Sequence, residues 1–533
     1  MPRYNRFILL RSPRHGLGFA VVPSFLFLAC FSAPPSPGSG DSDATDGSGG
    51  TGGTSPGTSV GGTSLGTSSA GTSSAGTSST GTSSTGGMCS PDLPDLCDGE
   101  CVDLQTDPNH CGDCATVCGP GASCIAGTCD MPAVVEVDSD SATTCSLWND
   151  GSVRCWGRNT MGQLGQAHTD NIGDNETPDA GQDTELGEPA LQIDLGEEFA
   201  CALLASGDIR CWGKNDVGQL GHGAANPYVG DDEPPASMPT VQGLGEPAVQ
   251  VTAGFDHACA LLASGSVRCW GGNANGQLGY GHTMNVGKTI SVDDGTLAGD
   301  VDTGLPDVAE IHAGYRFTCA RSSSGQVRCW GKNDVGQLGL GHTQTIGDDE
   351  VPADSMDTPV GGNAQALTVG DTYACVLLEG GDVRCWGRNS GGKLGLGNTN
   401  DVGDDELPSD VPTVSLSRQG ADVQIIRAGS EHTCVVFTDG GLQCWGVNWE
   451  GQLGLGYVNH IGDDELPSSV GRTMVGEAVL ATGGGYSRCV VLANGGVRCW
   501  GNNNTGQLGY GDTDNRGATA ATIPSKLPNI KIK

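Results

Sequence analysis

Three features are scarce in this chain of 533 residues: basic side chains, aromatic rings and long apolar runs. Lys and Arg number 26 against 62 Asp and Glu, which gives a formal charge of −36. This balance excludes a protein that binds nucleic acid through its phosphates, and it excludes docking on anionic lipid through basic residues. No apolar run reaches the ~18 residues of a transmembrane helix. Aromatic residues make up 5% of the chain against 89 Gly, which argues against long amphipathic helices.

The first 30 residues have the pattern of an export signal. A positive start without acids, from Arg3 to Arg14, precedes a short apolar run from Leu17 to Ala29, and this order is typical of a secretory signal peptide. The closing FLAC resembles a bacterial lipobox, in which the Cys becomes lipidated. The resemblance implies a signal peptide over residues 1–29 and a lipid anchor at Cys30. An ordinary cleaved signal with an incidental Cys is the alternative.

Residues 30–87 consist mostly of Gly, Ser, Thr and Pro. Almost none of these side chains can contribute to a buried core, so we expect a disordered tether. A random coil of this length spans roughly 40 Å. Signal and tether together predict an exported protein, either a membrane lipoprotein or a secreted one, at the outer surface of the cell.

The 23 Cys residues divide into Cys30, eight within residues 88–130, and fourteen in pairs ten positions apart. Such density is typical of an oxidising compartment. Residues 88–130 have too few apolar side chains for a core, which predicts a small disulfide-rich module; zinc or redox chemistry at Cys111 and Cys114 is the alternative. Its Cys spacing resembles the modules of the stigma-specific protein family, which implies an extracellular module without chemistry. The pairing among these eight Cys stays open.

One unit of 55 to 60 residues recurs seven times within residues 131–533. Its marker is Trp-Gly-x-Asn-x-x-Gly-(Gln or Lys)-Leu-Gly. The seven markers begin at Trp156, Trp212, Trp270, Trp330, Trp386, Trp445 and Trp500. A fixed period of this size predicts a solenoid, a propeller or an array. Short apolar runs before each marker predict strands, and a Gly closes a three-residue hairpin loop in every copy, such as Gly265.

That hairpin places two Cys of each copy opposite each other, as Cys259 faces Cys269 in the third copy. Opposed residues of an antiparallel pair have Cα atoms roughly 4.5–5.5 Å apart, which is within disulfide reach. We therefore predict one cross-strand disulfide per copy, with buried free thiols as the alternative. The predicted pairs are Cys145–Cys155, Cys201–Cys211, Cys259–Cys269, Cys319–Cys329, Cys375–Cys385, Cys434–Cys444 and Cys489–Cys499.

The marker, the upstream Ala-Gly and the hairpin resemble the regulator of chromosome condensation repeat family. The resemblance implies an all-β, seven-bladed β-propeller of four-stranded blades, with the marker Trp and Leu packed between blades. The family's guanine-nucleotide exchange activity is not expected for an exported chain whose repeats are even in length. Residues 529–532 resemble the opening strand of an eighth copy. Either they or residues 134–137 are expected to close the ring by joining the other terminal blade.

No phosphate loop, His-Glu-x-x-His or nucleophile elbow is present, so we predict a non-enzymatic binding scaffold. An extracellular hydrolase or lyase on the same propeller is the alternative. The loops after Ala-Gly vary while the scaffold repeats, and exposed aromatic residues on such loops commonly anchor a partner. The candidate residues are Phe199, Phe255, His257, Tyr315, Arg316, Phe317, Tyr373, His432 and Tyr486, with Trp449 from the marker. The expected partner is an unknown protein or glycan, and the chain is expected to be a monomer; capping of blade ends is the alternative role for these residues.

A further motif, Gly-Asp-Asp-Glu-x-Pro, occurs in four copies and should place acidic loops on one face of the ring. The residues are Asp231, Asp232, Glu233, Asp348, Asp349, Glu350, Asp404, Asp405, Glu406, Asp463, Asp464 and Glu465. Grouped carboxylates are ligands that Ca²⁺ prefers, although no full EF-hand spacing is present. Solvated loops, or carboxylates paired with Arg on the same blade, are the alternative, and no other cofactor is predicted.

Overall fold

The computed structural model describes residues 95–97, 100–105, 123–125, 128–130, 132–140, 142–223, 226–476, 478–481 and 484–533. The predicted signal peptide, Cys30, the tether and most of the Cys-rich module lie outside the described residues. Of that module the structure gives two small hairpins, Asp95–Cys97 with Glu100–Val102 and Ser123–Ile125 with Thr128–Asp130. No helix in the described ranges combines the length and the apolar character that crossing a membrane requires.

The repeats fold into seven antiparallel sheets, and each of these blades is built from consecutive strands of one repeat. The inner strands are Val134–Ser139, Ala190–Gly196, Ala248–Ala253, Val308–Ala313, Ala364–Val369, Val423–Ala428 and Ala478–Ala481. The middle strands are Thr143–Trp148, Phe199–Leu204, His257–Leu262, Phe317–Ser322, Tyr373–Leu378, His432–Phe437 and Ser487–Leu492. The outer strands are Val153–Gly157, Ile209–Lys214, Val267–Gly271, Val327–Gly331, Val383–Gly387, Leu442–Gly446 and Val497–Gly501. The all-β seven-bladed propeller is therefore confirmed.

The fourth strand of each blade is only one or two residues long. In blade 2, Tyr228–Val229 pairs with the outer strand, whereas in the other blades a single residue bridges to the final Gly of that strand, as Val286 does to Gly271. The blades were expected to have four strands, but most have three strands and one further bridging residue. The segment after the marker is rich in turns, so it pairs with the outer strand only briefly. Helical turns occur at Pro178–Ala180, Pro235–Ser237, Pro352–Asp354, Ser390–Gly392, Pro408–Asp410, Pro467–Val470 and Pro524–Lys526.

The hairpin between middle and outer strand has the predicted register. In blade 3, Cys259 pairs with Cys269 and Leu261 with Val267. Gly265 has a φ of +89°, a conformation that a side chain would disfavour. The structure forms all seven predicted disulfides, one in each blade, and every one of these cysteines is buried.

The marker Trp joins neighbouring blades. Each indole Nε1 donates a hydrogen bond to the carbonyl of the marker Gln or Lys in the preceding blade, as Trp270 does to Gln219 at 2.9 Å. Trp156 of blade 1 makes the same bond to Gln507 of blade 7 at 3.0 Å, so the ring closes through a junction like all the others. The seven indoles are completely buried, which confirms the expected packing between blades.

The two chain ends do not exchange strands between blades. Val134–Ser139 pairs with the middle strand of its own blade. Ile530 N donates to Val497 O of blade 7 at 2.9 Å, which is the edge contact that Val301 makes to Val267 in blade 3. Residues 529–532 therefore form the outer edge of blade 7, and the expected resemblance to the opening strand of an eighth copy is wrong. The segment does join blade 1, as expected: Asp179 N donates to Lys531 O at 3.2 Å, and the Arg154 guanidinium donates to Ile532 O at 2.8 Å.

Candidate functional site

The loops after the inner strands surround one end of the ring axis and contact one another, as Phe255 N donates to Gly314 O of the next blade. Five candidate side chains nevertheless start the middle strands and are at most 1% exposed: Phe199, His257, Phe317, Tyr373 and His432. The prediction that these five contact a partner directly is wrong, and the alternative of capping blade ends holds. Each ring faces the next blade; the Tyr373 hydroxyl, for example, donates to His432 O at 2.7 Å.

Phe255, Tyr315 and Arg316 remain partly exposed and form one cluster on blades 3 and 4. The two aromatic ring centroids are 4.1 Å apart. The Arg316 guanidinium carbon lies 5.5 Å from the centroid of Phe255 and 5.3 Å from that of Tyr315, within cation–π range. This arrangement offers a flat, partly apolar surface beside a fixed positive charge.

Carboxylates from other blades extend the same surface. Burial, with the charges of Glu431 and Glu197, raises the pKa of Asp371 to about 6. Burial also raises the pKa of Tyr486, and the charges of these three carboxylates add to the effect. Tyr315 N of blade 4 donates to Asp371 O of blade 5 at 3.1 Å, and the charge of Glu197 in blade 2 also reaches Asp371. Loops of these three blades therefore meet at this end of the ring. We call Glu197, Phe255, Tyr315, Arg316, Asp371, Glu431 and Tyr486 the axial mouth.

Inside the ring, polar side chains of one inner strand bond to the backbone of the next. The Gln192 amide donates to Val251 O at 2.9 Å and accepts from Val251 N at 3.0 Å. Gln250 of blade 3 repeats both bonds with Ile311 at 2.7 and 3.0 Å. Blade 1 carries Glu136 at this position, and an ionised carboxylate can accept but cannot donate.

All seven inner strands line an axial cavity of about 100 Å³, in which carboxylates from blades 1 and 2 meet Arg427 of blade 6. Burial, with the charge of Asp138, raises the pKa of Glu136 to about 8. Burial raises the pKa of Asp138 to about 6, and that of Asp194 lies well above its ordinary value. Sequence reasoning missed these groups, although polar residues at alternate positions of the inner strands were a usable signal.

The four Asp-Asp-Glu loops each bring three carboxylate oxygens within 4.8 Å of one another, and we call these loops the acidic triads. In each triad one Glu oxygen is buried without a hydrogen-bond partner, as in Glu233, Glu350, Glu406 and Glu465. Burial, with the neighbouring Asp residues, raises the pKa of Glu233, Glu350 and Glu465 to about 7. Orphaned carboxylate oxygens of this kind suit a hard cation such as Ca²⁺.

The acidic triads also support the junctions between blades. An added Cβ on Gly162 of blade 1 would lie 2.5 Å from Asp231 N of blade 2, and Gly276 and Gly336 meet Asp348 and Asp404 in the same way. The Gly before the marker Gln is therefore required for close backbone contact between blades. The last candidate, Trp449, is 67% exposed on blade 6.

Comparison with known proteins agrees with this architecture. The model of the RCC1-like domain matches residues 109–491, and that of the regulator of chromosome condensation (RCC1) repeat matches residues 494–532. The stigma-specific STIG1-like protein family matches residues 78–132.

Individual proteins match over the ring. The ultraviolet-B receptor UVR8 of Arabidopsis thaliana is 31% identical over 326 residues, 60% of this chain and 67% of that protein. The human E3 ubiquitin-protein ligase HERC2 is 26% identical over 300 residues, which are 56% of this chain but only 6% of that protein. The crystal structure of yeast RCC1 (Prp20) bound to Kap60 superimposes with a TM-score of 0.54 at 18% identity, covering 73% of this chain and 83% of that one.

Proposed function

The chain belongs to the family of RCC1-like domains, and from that premise we propose a non-enzymatic binding scaffold that is exported and displayed at the outer cell surface. A propeller of this family supports a protein-binding or regulatory role in general terms. The proposed partner is a protein, with a glycan as the alternative. Support for export comes from the signal pattern and the seven buried disulfides, which belong to an oxidising compartment.

The observation that carries the proposal is the axial mouth. It combines the Phe255 and Tyr315 rings, which are in contact at an angle of 36°, with carboxylates from blades 2, 5 and 6. Aromatic anchors ringed by charge are typical of recognition surfaces. With a formal charge of −36 on the chain, a partner that presents basic groups to this mouth is favoured over an acidic one.

We expect the immobilised double variant Phe255→Ala with Tyr315→Ala to retain at least fivefold less partner than the immobilised full-length chain without substitutions. The measurement is affinity capture from surface and secreted extracts, quantified by mass spectrometry. Met356→Ala is the matched control, because Met356 is 51% exposed at the outer edge of blade 4 and lies outside the mouth. Equal retention by both variants would place the partner elsewhere. Turnover of a polysaccharide or peptide library by the purified chain would favour the hydrolase or lyase alternative.

The lipid anchor at Cys30 is part of the same proposal, as opposed to free secretion. In a Gram-negative host, radiolabelled palmitate should enter the full-length chain and fail to enter Cys30→Ala. The variant should also move from the membrane fraction to the soluble fraction. Unchanged labelling and fractionation would contradict the lipobox interpretation and leave the binding role of the mouth unaffected.

We further propose that the acidic triads bind Ca²⁺, on the strength of the orphaned buried Glu oxygen that recurs in all four. Ca²⁺ in excess over a chelator should raise the thermal midpoint, since a ligand present at 100 times its Kd stabilises by ~2.7 kcal/mol per site. Asp348→Asn with Asp349→Asn should remove one bound ion per chain in equilibrium dialysis. Asp293→Asn with Asp294→Asn in blade 3, which lacks the triad, should remove none. If the thermal midpoint is unchanged and no Ca²⁺ is retained, the triads are solvated loops that bind no cation.

A further inference from the structure

One surface loop of blade 6 departs from the repeat. Trp449 stands where the other markers carry Thr160, Asp216, Ala274, Asp334, Ser390 and Asn504. Tyr457 and Val458 stand where blade 5 has Asn398 and Thr399. Blades 1, 3, 4 and 7 have His or Asp followed by Thr at these positions, and blade 2 has two Ala. The three side chains are exposed, Trp449 by 67%, Tyr457 by 39% and Val458 by 46%. Among the seven copies, blade 6 alone carries Trp and Tyr at these positions.

These side chains belong to one continuous patch. The Asn448 amide donates to Tyr457 O at 2.7 Å, so the loop folds directly beside the turn that carries Trp449. Asn448 N donates to His460 Nδ1 at 3.0 Å, and the His460 ring meets the Trp449 ring edge-on with centroids 5.0 Å apart. We call Trp449, Tyr457, Val458 and His460 the blade-6 patch.

The architecture of the loop does not require this apolar surface. In blade 5 the equivalent Asn389 donates to Asn398 O at 2.8 Å, and in blade 4 Asn333 donates to His342 O at 2.7 Å. The same turn therefore forms over polar residues. Trp449 gains one internal contact, the edge-on His460 ring, yet stays 67% exposed. Where a scaffold repeats, a departure that leaves large apolar side chains in solvent points to a partner.

The charges around the patch select the chemistry of that partner. Tyr457 lies close enough to Glu465 for its charge to help raise the tyrosine pKa. Glu450 is the chain neighbour of Trp449, and none of Glu450, Asp463, Asp464 and Glu465 forms an ion pair with any residue that the structure describes. Glu450 Oε2 does accept a hydrogen bond from Asn515 Nδ2. An apolar patch bordered by carboxylates without a described ion-pair partner complements an apolar side chain flanked by cations. A second copy at −36 and an anionic bilayer are both repelled.

We propose that the blade-6 patch is a docking site for an extended protein segment in which an apolar side chain is flanked by Lys or Arg. This site goes beyond the proposed function, because it uses no residue of the axial mouth. It does share the blade-6 triad with the proposed Ca²⁺ site, so the segment docks on the Ca²⁺-free chain. The patch would hold the apolar side chain between Trp449, Tyr457 and Val458 while the carboxylates of the adjacent triad hold the flanking cations.

Trp449 itself reports on the binding. Seven of the nine Trp residues are completely buried, and Trp148 is partly covered by Lys533, whose Nζ lies 4.9 Å from its ring. Acrylamide quenching of the full-length chain therefore follows mainly Trp449. We use three Trp-free hexapeptides in a chelating buffer: Lys-Lys-Leu-Ile-Lys-Lys, its Glu counterpart, and Lys-Lys-Ser-Ser-Lys-Lys. The basic apolar peptide should lower the quenching constant at least twofold and shift the emission to the blue, and 0.5 M salt should reverse both effects.

The controls separate this site from the mouth and from other occupants. Tyr457→Asn with Val458→Thr installs the residues of blade 5, so the loop should fold and keep Trp449 as reporter while losing the protection. Trp449→Phe should abolish the peptide-sensitive signal, and Phe255→Ala should leave it unchanged. Equal protection by the acidic or the polar peptide would overturn the proposal. So would no protection at millimolar peptide, protection that rises with protein concentration alone, or protection by phosphatidylglycerol vesicles.

Discussion

Complete reduction of the seven blade disulfides is expected to unfold the propeller at room temperature. Each cystine joins positions i and i+10 of one hairpin. On the chain-entropy model a loop of this size stabilises the fold by roughly 2.7 kcal/mol, less any strain. The cystines lie in separate blades, so their contributions add to a first approximation. Seven such contributions exceed the ~5–15 kcal/mol by which a typical domain is stable.

The measurement is far-ultraviolet circular dichroism and Trp emission in excess thiol, with mild urea to admit the reductant to buried cystines. Exposure of the seven buried marker Trp should shift the emission to the red. The matched variant Cys319→Ala with Cys329→Ala keeps the other six blade cystines, and its urea midpoint should fall by the equivalent of ~2–3 kcal/mol. A reduced chain with an unchanged cooperative transition would contradict the expectation. Non-reducing peptide mapping that finds links between blades would contradict the pairing itself.

The blade could be predicted from the sequence because its determinants are local. Gly265 closes a three-residue loop, and that loop alone fixes the pairing of Cys259 with Cys269. The marker Trp recurs at the period of the blade, so each indole meets the preceding blade in the same place. Ring closure could be predicted only in part. Ile530, which contacts Val497 at the edge of blade 7, belongs to a segment that in the sequence resembles any short apolar strand.

The candidate site could be predicted only in part. Phe255 and His257 are two positions apart, yet the first is partly exposed and the second is completely buried. The difference arises because the middle strand already begins at His257, whose side chain then faces the next blade and meets Thr318 Oγ1 at 3.0 Å. Loop composition indicates where variation is tolerated, but only the strand boundary decides which side chains reach solvent.

The axial carboxylates depend on contacts between repeats, which composition and spacing do not reveal. Gln192 bonds a residue 59 positions away, and Ile193 N donates to Glu136 across 57 positions. An acidic residue of an inner strand can bridge two blades only because the ring brings neighbouring inner strands together. The sequence shows Glu136 within an apolar run, and the structure shows that its partner is the free backbone edge of blade 2.

Glu136→Gln is expected to stabilise the protein at pH 8.5 by ~2 kcal/mol and to change little at pH 5. Burial and Asp138 raise the pKa of Glu136 from 4.5 to about 8. The folded protein therefore binds more protons than the unfolded chain between these values, and the free energy of unfolding falls as the pH rises through this window. Each pKa unit corresponds to ~1.4 kcal/mol of unfolding free energy. Solvent reaches this partly exposed carboxylate and screens its charge, so the expected loss of stability is smaller than the pKa shift alone implies.

The substitution installs the residue that blades 2 and 3 already use. The Gln amides there donate to and accept from the next inner strand, and a Gln at position 136 can do so with Ile193 at any pH. Urea unfolding at pH 5 and pH 8.5 measures the difference. Glu310→Gln is the matched control at the same repeat position: burial opposes ionisation there, but His312 and Arg321 hold the pKa of Glu310 below its ordinary value. Removing that charge leaves the partly buried Arg321, whose Nε lies 2.7 Å from the Glu310 carboxylate, without its partner, so Glu310→Gln should destabilise at both pH values. If Glu136→Gln instead lowers the urea midpoint at pH 8.5 as Glu310→Gln does, then Glu136 is ionised in the folded ring and Arg427 stabilises its charge.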